Sequence, residues 1–336
     1  MKLKLLLFSL STIPFIVNAQ DTFSIVALDS ATRQVGSAGA SCVDLANFGI
    51  NDAGFLGELF PDSAAINSQA AYLEANQTNA RTRIRLGDSP QEVIDWLVNN
   101  DVQNQPQTRQ YGIVGFLGNQ IEAAAHTGIS TMGYSNHITG NKDGLYYSIQ
   151  GNILLGQEIL DDMENNFINT EGDLACKLMA AMQGANVVGA DTRCAPNATS
   201  SLFAFLKVSE PSDLYGSPSF NISVITQNNQ NIEPIDSLQV LFNLNGSCST
   251  ASLSNEDSTN LFSIKPNPVN DRLEVILNHE NTNQKWYYSI QDITGKIIFN
   301  GELNQEIDVS TLSHGVYHLF LYGKNHQSLQ VKFVKR

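Results

Sequence analysis

The stretch from Asp21 to Cys42, DTFSIVALDSATRQVGSAGASC, constrains the fold more than any other part of the chain. Thr22 to Leu28 is β-prone and mostly bulky, and Gln34 to Cys42 reads as the returning strand of a hairpin. After Val35 the second strand runs Gly, Ser, Ala, Gly, Ala, Ser, with almost no side-chain volume on either face. Small residues weaken a strand, so a run of them marks a place where a helix, a second sheet or a substrate comes close. Thr22 stands at the head of this hairpin.

The residues before the hairpin read as an export signal over 1–19. Lys2 and Lys4 precede an apolar run, Leu5 to Ile16, and Val17-Asn18-Ala19 is a small-residue cleavage site. Cleavage after Ala19 makes Gln20 the first mature residue. No later apolar run is long enough to span a bilayer. The net charge of −14 argues against nucleic acid and against anionic membrane surfaces as partners.

Export makes an even number of cysteines, Cys42, Cys176, Cys194 and Cys248, a disulfide framework. The short separation of Cys176 and Cys194 predicts that these two pair, leaving Cys42 for Cys248. No CxxC or neighbouring histidine supports a zinc site, and no metal is expected.

The 336 residues suggest two domains. In the front part, Asn67 to Leu86 reads as a helix carrying Arg81, Arg83 and Arg85. These arginines form either an anion-binding cluster or, preferably, a solvated face with local ion pairs. Ser89-Pro90-Gln91-Glu92 is a capping box opening a second helix. Tyr111 to Leu117 and Gln120 to Thr127 form a hairpin over Gly118-Asn119, with His126 read as structural. Ser130 to Gly144 reads as a Gly/Ser/Asn loop and Tyr146 to Leu154 as a strand. Helices follow around Ile159–Phe167 and Leu174–Met182, then strands at Ser200–Val208 and Ser219–Thr226, and a closing helix at Ile232–Leu244. Hairpins and paired helices in this order fit antiparallel sheets with helices layered outside, an α+β fold. No GxGxxG, Walker loop or HExxH occurs, and no cofactor is expected. A polar linker, 245–260, leads to seven short β-prone runs over 261–336, the pattern of a small Ig-like β-sandwich.

The last segment carries Lys265-Pro266-Asn267-Pro268, the Asp292-Ile293-Thr294-Gly295 turn, Asp308 to Leu312, Gly315-Val316-Tyr317 and a basic end at Lys332, Lys335 and Arg336. In these it resembles the type A C-terminal sorting domain of the type IX secretion system. The resemblance implies the secretion machinery as partner, a Bacteroidota-type source, and release or attachment to cell-surface polysaccharide after cleavage.

The front domain, 20–244, carries in order Thr22 to Ala27 with Gly36 to Ser41, Arg109 to Val114, Ala125 to Gly128, Ser148 to Leu154 and Gly189 to Arg193. In these it resembles the domain-of-unknown-function family DUF1028, grouped with Ntn hydrolase-like folds. The resemblance implies a four-layer αββα sandwich.

In N-terminal-nucleophile chemistry the first residue supplies the nucleophile and its own α-amine is the base. A free amine titrates near pH 8 and can take a proton without other help. Thr22 is then the candidate nucleophile for amide hydrolysis, Asn152 or backbone N–H groups beside Gly151 the oxyanion site, and Asp191 with Arg193 the groups that tune the amine. Ser37 and Ser41 are candidate substrate contacts. With Gln20 and Asp21 attached, Thr22 has no free amine. A non-catalytic binding protein on the same fold, and a hydrolase using Cys42 or Ser41, are the competing expectations.

Overall fold

The structure is a computed structural model that describes residues 22–117, 120–245, 248, 262–277, 286–292, 297–303, 306–323 and 328–336. The export signal, most of the linker, and the Gly118-Asn119 and Ile293-Thr294-Gly295 turns lie outside the described residues. The chain divides into two compact units, 1–242 and 243–336.

Among the described residues the first unit holds ten strands and five α-helices. In chain order they are β1 (Thr22–Asp29), β2 (Val35–Ser41), β3 (Gly57–Phe60), β4 (Ala64–Ala70), α1 (Glu74–Leu86), α2 (Pro90–Asn99), β5 (Arg109–Leu117), β6 (Gln120–Thr127), β7 (Tyr134–Lys142), β8 (Leu145–Leu154), α3 (Glu158–Asn169), α4 (Leu174–Gly184), β9 (Phe203–Ser209), β10 (Phe220–Ile225) and α5 (Pro234–Asn245). One sheet has the order β10-β9-β2-β1-β8-β7 and the other β3-β4-β5-β6. The strand pairs within both sheets are antiparallel.

Alternation along β1 explains the layering. Phe23, Ile25 and Ala27 join Leu160, Phe167, Leu174 and Leu178 of α3 and α4 in one core. Val26 and Leu28 face the other way, onto Ala65 and Val114 of the second sheet. That sheet packs its own outer face, including Ile66 and Ile113, on Ala80, Ile84, Val93 and Leu97 of α1 and α2. The result is the expected αββα sandwich. Each large side chain buried in these layers contributes about 1.5–3 kcal/mol.

The small-residue strand has a packing reason. A Cβ on Gly36 would lie 2.5 Å from Leu178 Cδ1, so α4 seats on β2 only because that position is bare. The predicted capping box forms as read: Ser89 Oγ accepts from the Glu92 N–H, and Glu92 Oε2 accepts from the Ser89 N–H.

Two segments differ from expectation. The helix read over Asn67 to Leu86 begins only at Glu74, and 64–70 is strand β4, paired with β3 and β5. Asn67 and Gln69 serve the inner face there while Ile66 faces the helices, so tertiary pairing overrides a sequence without β-branched runs. The loop read over Ser130 to Gly144 contains β7, an edge strand whose exposed side needs no apolar residues.

The second unit is all-β. Its seven strands are β11 (Phe262–Lys265), β12 (Arg272–Leu277), β13 (Trp286–Asp292), β14 (Ile297–Glu302), β15 (Glu306–Asp308), β16 (Gly315–Gly323) and β17 (Ser328–Lys335). They form sheets ordered β11-β12-β15 and β14-β13-β16-β17 around Leu273, Ile290, Ile307, Leu319 and Phe333.

Candidate functional site

Toward Thr22 the layer between the two sheets changes character. Where Val26 and Leu28 make it apolar, Ser24 and Thr22 make it polar, and both are fully buried. Their neighbours on β1's two ladders are fixed by register: Thr22 faces Ser41 on β2, and Ser24 faces Gln150 on β8.

Buried polar groups need partners, and here they find one another. The Thr22 N–H donates to Asn152 Oδ1 at 3.0 Å, and the Thr22 carbonyl accepts from Gln69 Nε2 at 3.0 Å. Gln69 Nε2 also donates to Gln110 Oε1 at 2.7 Å, and Ser24 Oγ donates to Gln69 Oε1 at 2.6 Å. Gln150 closes the cluster, donating to Ser24 Oγ at 2.7 Å and accepting from Ser148 Oγ at 2.9 Å. Space for Gln150 comes from Gly112, where a Cβ would sit 1.9 Å from its Oε1.

Asn152 is aimed by a local irregularity. The β7–β8 register shifts between Tyr134 and Asn136, opposite Asn152 and Ile153. Ile153 has φ 52°, a left-handed conformation that a β-branched residue adopts only under constraint. Its N–H is held by Met132 O at 2.9 Å. The cluster is made of amides and hydroxyls. Among the described residues no group of three or more His, Cys, Asp and Glu could hold a metal ion, and no helix is long and apolar enough to cross a membrane.

Residues 22–229 match the model of a family of unknown function, DUF1028. The chain belongs to this family. A crystal structure of a DUF1028 protein from Silicibacter pomeroyi is 20% identical, with a TM-score of 0.51 over 67% of this chain and 88% of that one, a likeness of fold. Residues 263–336 match a secretion system C-terminal sorting domain, which indicates export to the cell surface or beyond. No curated protein matches.

The DUF1028 domain brings Thr22, Ser41 and Asn152 together, and separates Ser37 from them. Ser37 lies four residues along β2, about 13 Å at strand rise, and its Oγ donates to Asn67 Oδ1 at 2.6 Å. Asn152 and the backbone N–H groups beside Gly151 are the two expected sources of an oxyanion site. The Asn152 oxygen accepts from Thr22 N, and its Nδ2 donates to Gln110 Oε1 at 3.3 Å.

Asp191 and Arg193 form a salt bridge, Nη2 to Oδ2 at 2.7 Å, with Asp191 fully buried. Asp191 Oδ2 also accepts from the Cys42 N–H at 2.9 Å. The pair therefore sits one residue beyond the Thr22–Ser41 rung.

The predicted Cys176–Cys194 disulfide is wrong: Cys194 is bonded to Cys42, with Cα atoms 5.6 Å apart. The same bond excludes the leftover Cys42–Cys248 pairing. Closeness in sequence misled, because Cys176 lies inside α4 whereas the 3₁₀ turn at Thr192–Asn197 docks on the end of β2. With no free cysteine present, Cys42 offers no thiolate nucleophile.

Sequence reasoning missed Gln69, which reaches the Thr22 carbonyl from the opposite sheet, and Gln110, which bonds Gln69 and Asn152. Gln69 lies in the segment misread as helix. Gln110 lies in a stretch that carries the family resemblance, but a lone glutamine in a strand announces no role. The arginine row resolves into local partners: Arg81 with Glu58, Arg83 with Asp88, and Arg85 over the Tyr215 ring.

Proposed function

We propose that the DUF1028 domain hydrolyses amide bonds outside the cell, with Thr22 as nucleophile once processing has made it the first residue. The observation that carries this reading is the buried 3.0 Å contact between Thr22 N and Asn152 Oδ1. A free amine there gives one N–H to Asn152, which leaves its lone pair to take the proton of its own hydroxyl as the oxygen attacks a carbonyl. Asn152 thus orients the base. Backbone N–H groups near Gly151 remain the candidates for the oxyanion, and Ser41 lies across the ladder from the attacking residue. Asp191 and Arg193 hold the end of β2 in place through Cys42. The sorting domain passes the chain to the type IX machinery and is removed on release or on attachment to surface polysaccharide.

One observation favours a second reading. Thr22 is fully buried, and a peptide N–H makes the same bond to Asn152 that an amine would. If Gln20 and Asp21 stay attached, the domain is a surface protein that binds a ligand or partner without turnover.

N-terminal sequencing of the secreted protein separates the two. The hydrolase requires a start at Thr22, turnover on a panel of amides, loss of turnover in Thr22→Ala and partial retention in Thr22→Ser. Asn152→Ala should lower kcat by about 10²-fold, the low end of what acid–base catalysis contributes, because Asn152 aims the base and is not itself the base. A mature start at Gln20 with no turnover sinks the hydrolase.

A further inference from the structure

The buried cluster does not end at Gln110. Gln110 Nε2 lies 2.9 Å from Thr127 Oγ1, and Thr127 Oγ1 lies 2.9 Å from His137 Nδ1. Followed from the other end, the bonds share one direction. Thr22 N–H donates to Asn152, Asn152 Nδ2 to Gln110 Oε1, and Gln110 Nε2 to Thr127 Oγ1. The Thr127 hydroxyl, with an amide N–H on its oxygen, has its own proton for His137 Nδ1. Bonds aligned head to tail polarise one another. Thr22, Asn152 and Gln110 are fully buried, whereas His137 is partly exposed.

We propose that His137 is a positioning residue of the Thr22 site, acting through Thr127, Gln110 and Asn152 so that its protonation state is felt at Thr22 N. Neutral His137, with its proton on Nε2, ends the chain as an acceptor. Protonated His137 has no acceptor. Thr127 must then turn its hydroxyl away, the alignment is lost, and a positive charge sits at the far end. Both changes weaken Asn152 Oδ1 as an acceptor for Thr22 N.

The titratable groups around His137 lie on β6, β8 and α3. His137 lies opposite Gln150 in the ladder and shares that residue's face, turned toward β6. On β6 it meets Thr127; His126, next in sequence, turns to the other face against the Tyr111 ring, and its Nε2 lies 3.0 Å from Pro106 O. Burial first, and the charge of His126 second, hold the His137 imidazole below its usual range. Glu122 stands five residues from Thr127 along β6, and Tyr146 four from Gln150 along β8. On the opposite face Tyr147 donates to Glu164 of α3 at 2.6 Å, and Lys142 reaches the end of α3 at Ile168 O and Asn169.

The coupling needs no turnover at Thr22, so it stands or falls apart from the hydrolase reading. The test is a pH titration of the full-length exported protein by NMR, between pH 4.5 and 8. The expected result has three parts. Neutral His137 carries its proton on Nε2, its midpoint lies below 6.5, and the Thr22 N–H (or amine) and Asn152 side-chain signals move with that same midpoint. In Thr127→Val, His137 still titrates but the Thr22 and Asn152 signals no longer follow it, while Thr127→Ser restores the coupling. Flat Thr22 and Asn152 signals through the His137 midpoint, an Nδ1–H tautomer, or unchanged coupling in Thr127→Val would overturn the proposal. If Thr127→Val does not fold, the wild-type titration and Thr127→Ser still decide.

Discussion

Single residues set the geometry around Thr22, and two of them lie just beyond its partners. Ala70 follows Gln69 with φ 64°, and Ile153 follows Asn152 with φ 52°. Left-handed backbone at non-glycine residues costs about 1–3 kcal/mol and persists only where the surroundings enforce it. Replacing a buried isoleucine by glycine normally loses packing and adds chain entropy. At Ile153 release of the strained backbone offsets part of that loss. Ile153→Gly should therefore cost less stability than Ile149→Gly in urea unfolding, and equal losses would show that Ile153 bears no strain. Behind Ala70 stands a buried ion pair, Arg109 with Asp101, at 2.8 Å. Burial pushes the Asp101 carboxyl up, but bonds from Arg109, the Gln105 N–H, Asn76 and the Gln103 N–H outweigh it and hold it at about 2. A carboxylate held below its unfolded value of 3.8 stabilises the fold fully above about pH 4, and that contribution fades as pH falls toward 2. Asp101→Ala strands the Arg109 guanidinium and should cost about 3–5 kcal/mol at pH 7. The gap from wild type should narrow between pH 4 and pH 2 in denaturant titrations.

Among the elements, β2 shows how small residues serve packing. Gly36 touches Leu178 and Leu174 of α4, so Gly36→Val should push the helix off the sheet and cost about 1–3 kcal/mol as overpacking. An unchanged melting temperature would mean that α4 shifts freely. β2 also shows what is legible in a sequence. Its bare run announces close approach, and Ser89 with Glu92 announces a helix start, because both signals are local. β4 and β7 are not legible in this way. Ala64 to Ala70 becomes a strand by pairing with β5, and Tyr134 to Lys142 is an edge strand with no apolar face to declare it. The candidate site divides along the same line. Thr22 can be picked from its position at a strand head. Gln69, Gln110, Thr127 and His137 come from four different strands, and only the folded register brings them into one chain of bonds.

At the scale of the whole molecule, one covalent bond joins the second strand to a turn 152 residues later. Closing so long a loop restricts the unfolded chain, and its loss should cost about 2–5 kcal/mol, measurable as a lower denaturation midpoint in a Cys42→Ala/Cys194→Ala variant. The same bond has a second consequence. It makes residues 42 to 194 a closed ring that includes Gln69, Gln110, His137 and Asn152, and the Ile129 side chain on that ring is 97% exposed. A protease that nicks the chain at Ile129 opens the ring without parting it. The two pieces should run as one band on a non-reducing gel and as two after reduction. A protein built this way outlasts its first cut, and surfaces rich in foreign proteases are where that matters.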